Sequence, residues 1–466
     1  MTTMKRAIYT SVSALALLAA TPAFAGNNTS AVTQTGTNAT ATVNQGGNNS
    51  DSTVNQGGNG NDATIDQNGA VAGASSTVGQ SGDDNTANVT QADSGTGTDP
   101  VEISNISQSG SGNNATVNQN SDAPSGPWAN QSGISQVGDE NNATVTQVDD
   151  DQNSSISQLS GGNSATVDQG DVGKVANDAS WGNGSTVLQE GGDGNTASVS
   201  QMSRFNSSSI HQNGADNNAT VSQNSDSGNS VGNSSGVDQG GSNNIATVGQ
   251  YGQNNSSSVS QSTVGNQAYV NQDGSDNSSS VDQSGGYSAN FDYSSPGDTS
   301  GRAEVDQIGN GNSSSVSQSG LTNIADVDQA NNNISTVDQS GEGTYARVLQ
   351  SGANNESHAS QTGYGDSYSL SHQIIQSGNG NYSELTQNGM WDNSDVNQSG
   401  NDNDSSISQS GDYDNATVTQ SGSMNASTIL QGGSSNNANV LQSSDGNISD
   451  ITQSGSYNTA TVTQGN

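Results

Sequence analysis

Glutamine returns along this chain at a fixed spacing. From Gln376 it stands at Gln387, Gln398, Gln409, Gln420, Gln431, Gln442, Gln453 and Gln464, every eleventh residue without a slip. A chain that folds around one irregular core has no reason to return the same side chain to the same register. A stack of small, nearly identical units does.

Each unit has an inner order. Gln56 is followed by Gly58, Asn61, Ala63, Ile65 and Gln67, and the frame recurs as Gln212, Gly214, Asn217, Ala219, Val221, Gln223 and as Gln453, Gly455, Asn458, Ala460, Val462, Gln464. Asn, a small residue, Val or Ile, and Gln occupy alternate positions, which is the period of a β-strand with one face turned inward. Helix is excluded by that period, by a Gly in nearly every unit and by the weight of Asn, Ser and Thr. The small residue itself alternates, as Ser405, Ala416, Ser427, Ala438, Ser449 and Ala460, so the true repeat is about 22 residues with two unlike halves. Residues after each Gln, with glycines such as Gly274, Gly309 and Gly411, read as tight turns that need positive φ. The expected fold is all-β: a β-solenoid of stacked two-strand rungs, roughly 18 of them, about 85 Å long at a spacing of about 4.8 Å.

Composition decides what holds such a stack together. Only 26% of residues are hydrophobic and 4% aromatic, too few for an ordinary close-packed interior. Disorder has the same compositional signature, but it does not ask for Gln at a fixed spacing. Two Val or Ile side chains per rung do not offset the ordering of some 22 backbones, so main-chain hydrogen bonds and vertical ladders of Gln and Asn amides must supply the rest. The ladder residues expected to point inward include Gln56, Asn61, Ile65 and Gln67; Gln108, Asn113, Val117 and Gln119; Gln212, Asn217, Val221 and Gln223; Gln431, Asn436, Val440 and Gln442; and Gln453, Asn458, Val462 and Gln464.

Charge and special residues narrow the function. Asp and Glu number 44 against 6 Lys and Arg, a formal charge of -38 that disfavours nucleic acid and anionic membranes as partners. With no cysteine there is neither a disulfide nor a thiolate site. His211, His358 and His372 are scattered without metal-ligand spacing, and no acid and base pair or phosphate loop appears, so the chain is expected not to be an enzyme and to carry no cofactor or metal. Lys5 and Arg6, the apolar run from Ala7 to Ala20, and Ala23-Phe24-Ala25 have the layout of a secretory signal peptide over residues 1–25. The mature repeat region is then 26–466, with no membrane span. The frame starts at Asn28 and Gln34 and runs to Gln464 without atypical capping units, so both ends of the stack are expected to be open to another chain.

The spacing Gln-x-Gly-x-x-Asn-x-Ala-x-x-x-Gln at Gln431, Gly433, Asn436, Ala438 and Gln442 resembles the curlin repeat. Tighter matches carry a second glycine: Gln56, Gly58, Gly60, Asn61, Ala63, and Gln108, Gly110, Gly112, Asn113, Ala115. The leading Ser of the family pattern is mostly Asn here, as at Asn403, Asn425 and Asn447. The resemblance covers nearly all of the mature chain. It implies a structural subunit of curli-type functional amyloid, exported through an outer-membrane secretion pore, aided by a nucleator subunit and polymerised with itself at the cell surface into adhesive biofilm fibres. The chain is longer than is typical of the family and lacks its non-repeat segment after the signal peptide. From the residues alone, the alternative is a secreted monomeric β-solenoid that binds calcium, carbohydrate or ice. Outward residues such as Thr144, Asp168, Ser260 and Asn271 are too irregular for ice, and Gly191-Gly192-Asp193-Gly194 is an isolated fragment of a calcium repeat.

The frame slips around Pro100, around Pro124, Pro127 and Trp128, around Lys174 and Trp181, and around Tyr287, Phe291, Tyr293 and Pro296, where surface loops or bulged rungs are expected. Asp282, Asp306, Asp328 and Asp338 precede a ladder Gln and should face outward, where they form either simply a solvated face or a set of carboxylates stacked one rung apart whose repulsion delays premature assembly.

Overall fold

The computed structural model describes residues 26–68, 73–93, 102–121, 129–148, 151–170, 182–225, 231–285, 301–364 and 372–465. The signal-peptide segment 1–25 and the named residues at the four frame slips lie outside the described residues.

The strands follow the glutamines. The first, β1 (Thr29–Gln34) and β2 (Thr40–Gln45), and the last, β35 (Ile448–Gln453) and β36 (Thr459–Gln464), all end on a ladder Gln. Alternation sets the face: in Asp62–Gln67 the residues Ala63, Ile65 and Gln67 are buried, while the polar residues between them look outward. Each strand pairs in parallel with the strand two places on in sequence, never with its immediate neighbour. Thus β1 pairs with β3 (Asp51–Gly57), Val32 on Val54 and Gln34 on Gln56. On the other side β2 pairs with β4 (Asp62–Gln67), Val43 on Ile65 and Gln45 on Gln67.

Two 18-stranded parallel sheets result, one of odd and one of even strands. Among the described residues β1 and β2 have neighbours on one side only, as do β35 and β36, so each sheet is open at both of its described ends. The expected β-solenoid of two-strand rungs is therefore the observed fold. Its register survives the frame slips. Gln272 pairs with Gln307 across a separation of 35 residues, whereas Gln420 pairs with Gln442 across 22.

Between the sheets lies a narrow core. The even sheet contributes columns of Ala (Ala63, Ala87, Ala115) beside Ile65, Val89 and Val117, and the odd sheet contributes Val54, Val78 and Ile106. On the odd sheet Ser takes the place of Ala. Ser104, Ser257 and Ser405 are buried and their hydroxyls have no hydrogen-bond partner, whereas the equivalent Ser52 and Ser154 accept from Gln45 and Gln147 at 3.4 Å.

Turn geometry corrects one expectation. Gly274 and Gly309 do take positive φ, 133° and 102°, but Gly411 does not. In its turn the left-handed residue is Tyr413 (φ 59°), and Gly411 is needed because a Cβ there would strike the backbone carbonyl of Gly433 one rung on. Glycine at this level allows the main chains of successive rungs to touch.

The outward acids also depart from the simple picture. Asp306 and Asp328 are neighbours on the even sheet. Asp282 and Asp338 lie on the odd sheet with Ser317 between them, so they do not stack directly.

Candidate assembly interface

The inward amides form continuous side-chain hydrogen-bond columns. On the odd sheet Gln34 Nε2 donates to Gln56 Oε1 at 2.7 Å and Gln56 Nε2 to Gln80 Oε1 at 2.9 Å. The column continues through Gln108 and Gln212 to the step from Gln431 to Gln453, 2.8 Å. On the even sheet the same chain passes through Gln67, Gln119 and Gln223 and ends with Gln442 donating to Gln464. The second Nε2 hydrogen ties the sheets together: Gln56 donates to the Thr40 carbonyl at 2.8 Å, Gln212 to Thr196 at 2.9 Å and Gln431 to Asn415 at 3.0 Å. Both donor hydrogens are used inside a water-poor core, where an unmade bond would cost about 1–3 kcal/mol.

Asparagine forms a second kind of column at the turn into each strand. Asn85 places both its backbone N–H (3.0 Å) and its Nδ2 (3.1 Å) on Asn61 Oδ1. Asn113 does the same to Asn85, and Asn217 follows Asn195 through its backbone N–H. Asn458 closes on Asn436 at 3.2 and 3.0 Å. The remaining Nδ2 hydrogen caps a turn carbonyl, as from Asn61 to Gly82 or Asn217 to Gly241.

The structure brings the sequence-predicted residues together in these columns. Ile65, Val117, Val221 and Val440 fill the aliphatic column of the even sheet and are fully buried, as are Gln67, Gln119 and Gln442. At the end of the stack Val462 and Gln464 are half-buried and Asn458 is exposed, since β36 has no strand beyond it among the described residues. At the opposite end Val32 of β1 is 36% exposed although it faces inward.

These two ends are chemically unlike. At the first rung the Oε1 atoms of Gln34 and Gln45 receive no donor from the described residues, while their Nε2 atoms are engaged. In the last rung Gln464 Nε2 reaches only the Ile448 carbonyl, and Gln453 Nε2 only that of Asn437. One end is left with amide acceptors in the Gln columns and the other with amide donors.

Two acids that sequence reasoning passed over stand in the even Asn column, Asp392 and Asp414, each six residues before a ladder Gln, where Asn403 stands in the other sheet; Thr344 holds the same place before Gln350. Burial pushes the Asp392 carboxyl up to about 7 and that of Asp414 upward as well. Their signal was present in the register itself. Gly301 also takes an Asn place, and Asn266 Oδ1 below it is left without a partner.

The histidines serve separate surface contacts. His211 touches Glu190 at 3.1 Å and Asp238 at 3.0 Å, and His358 meets Glu356 at 2.7 Å, while the side chain of His372 lies outside the described residues. Among the described residues no group of His, Asp and Glu is placed to hold a metal ion, and no helix is long and apolar enough to cross a membrane.

No curated protein matches the chain. Residues 192–224, 252–285 and 330–363 each match the family model of the curlin associated repeat. The matched segments lie in both sheets and carry the same columns of Gln, Asn and Val as the rest of the stack, so in these three stretches the chain carries curlin associated repeats.

Proposed function

We propose that this chain is a secreted structural subunit that polymerises end to end into an extracellular curli-like amyloid fibre serving biofilm matrix and adhesion. The observation that carries this reading is the pair of unlike open ends. The free Oε1 atoms of Gln34 and Gln45 at one end suit the free Nε2 hydrogens of Gln453 and Gln464 at the other. Two copies joined in that sense continue both glutamine columns and cover the half-exposed Val32 and Val462. Joined head to head they would set acceptor against acceptor. The contact is heterologous and does not close on itself, which produces a filament rather than a dimer.

A nucleator subunit and an outer-membrane pore are the further partners that this reading implies, and the acidic outer face, with a formal charge of -38, keeps chains apart laterally. The test is incubation of the chain from Gly26 onward at increasing concentration. Thioflavin-positive filaments with a meridional reflection near about 4.7 Å are expected. A chain that stays folded and monomeric at every concentration overturns the proposal and favours a binding module.

A further inference from the structure

The even Asn column contains two acids in consecutive rungs. Asp392 and Asp414 are 3% and 1% exposed. Asp414 N–H donates to Asp392 Oδ1 at 3.0 Å, and Asn436 donates its backbone N–H and its Nδ2 to Asp414 Oδ1 at 2.8 and 3.0 Å. The Oδ1 atoms thus behave as ladder oxygens. The Oδ2 atoms of both residues are buried without a well-formed hydrogen bond, although the Gly389 backbone N–H comes near the Asp392 carboxyl and favours its ionised form against the larger effect of burial.

Their position shows what is missing. In the amide rungs Asn381 and Asn403 hold Nδ2 against Gly378 and Gly400, and they donate it to the carbonyls of Gly400 and Gly422, both at 2.9 Å. Asp392 and Asp414 hold Oδ2 against Gly389 and Gly411 in the same way. By register the carbonyls at this level belong to Gly411, for which no donor is found among the described residues, and to Gly433, which accepts the Asp412 N–H at 3.0 Å and has its second lone pair to offer. A carboxylate has no hydrogen to offer and would oppose those oxygens, whereas a neutral carboxyl offers O–H where asparagine offers N–H.

We propose that the Asp392–Asp414 step is a proton-operated latch: protonated on Oδ2, the two acids close their rungs as asparagines do, and ionised, they loosen the stack at that point. The ionisable groups facing the pair are each other and Asp412, whose Oδ1 accepts the Met390 N–H at 3.0 Å. Asp395, Glu384 and Asp404 on the adjoining strands stand at outward positions. Among the described residues no cation is paired with Asp392, Asp412 or Asp414. The latch depends on rungs stacked within one chain and operates whether or not chains join.

The direction follows from linkage. An acid held above its ordinary value binds more protons folded than unfolded, so stability at these rungs falls as pH rises from the ordinary carboxylate value to the folded one, and levels off beyond it. For one such proton, opening grows about tenfold per pH unit across that window.

The experiment is hydrogen exchange of the full chain followed by mass spectrometry, corrected for intrinsic rates, at pH 5 and pH 7. Peptides covering 389–436 should open about 100-fold more often at pH 7, while those covering 244–283 hold steady. In D392N/D414N most of the difference should be lost, with protection at pH 7 rising toward the value at pH 5 and only the smaller effect of Asp404, itself raised by burial and by Glu384, remaining. An infrared band of a protonated carboxyl that titrates near neutrality should also be lost in that variant. Equal protection of 389–436 at both pH values, the same pH dependence in the double variant, or protection governed by added calcium rather than by pH would overturn the latch. Fibre growth is not part of the readout, so failure of polymerisation leaves this test intact.

Discussion

Gln442 donates its side-chain N–H to Gln464 Oε1 at 2.8 Å, the last link of a chain of identical bonds that begins with Gln45 on Gln67. Each glutamine between the two ends is at once donor to the next rung, acceptor from the previous one and donor to the facing sheet. Removing one therefore harms three partners.

Replacing Gln250 by Ala is expected to leave Gln223 Nε2 without its acceptor and Gln272 Oε1 without its donor, and to free the Ser234 carbonyl. A loss of about 1–3 kcal/mol per orphaned buried group is expected, read as a lower urea midpoint. An unchanged midpoint would mean that the column adds nothing.

The aliphatic column should respond to volume. Ile210 is fully buried in the odd sheet, stacked between Val187 and Val237. Ile210→Val should cost about 0.5–1.5 kcal/mol and Ile210→Ala about 2–5 kcal/mol in chemical denaturation.

Backbone strain offers a gain. Met424 is exposed and adopts φ 57°, a conformation unfavourable for a side chain with a Cβ. Met424→Gly relieves about 1–2 kcal/mol of left-handed strain and gives back about 0.5–1 kcal/mol in chain entropy. A small rise in denaturation midpoint is expected, and a fall would show that the Met side chain contributes contacts of its own.

Acid should strengthen the stack. Burial raises Asp326 and Asp328, and neighbouring carboxylates raise them further, against the lowering effect of Arg347. Raised carboxyls contribute stability when protonated and lose it as pH climbs through their folded values. Denaturant midpoints should thus be higher at pH 5 than at pH 7.5, and Arg347→Ala should widen the gap by removing the guanidinium 3.5 Å from Asp326. A gap that narrows in that variant would contradict the assignment.

Growth should fail separately from folding. Val462→Lys places a charge on the half-buried end column of β36, beyond which no described strand lies. Rungs in the middle should keep their hydrogen-exchange protection while filament elongation is lost, as seen by electron microscopy.

Much of this was legible in the sequence because a solenoid turns position in the repeat directly into position in space. The spacing of Gln431, Gln442 and Gln453 gives the strand ends, the two sheets and the inward columns. The turns were less legible. Tyr413 and Trp391 take left-handed φ of 59° and 63° where glycine was the natural expectation, because backbone contact between rungs reserves Gly389 and Gly411 for a different place in the turn. Asp392 and Asp414 escaped notice because an acid looks solvent-facing until it is counted into the Asn column.

The two amide columns run in opposite senses. Glutamine N–H groups point toward the last rung, as from Gln201 to Gln223, whereas asparagine N–H groups point back, as from Asn217 to Asn195. Glutamine and asparagine columns thus hand their bonds on in opposite directions at every rung, so a further rung docking at either end would have to donate through one kind of amide while accepting through the other.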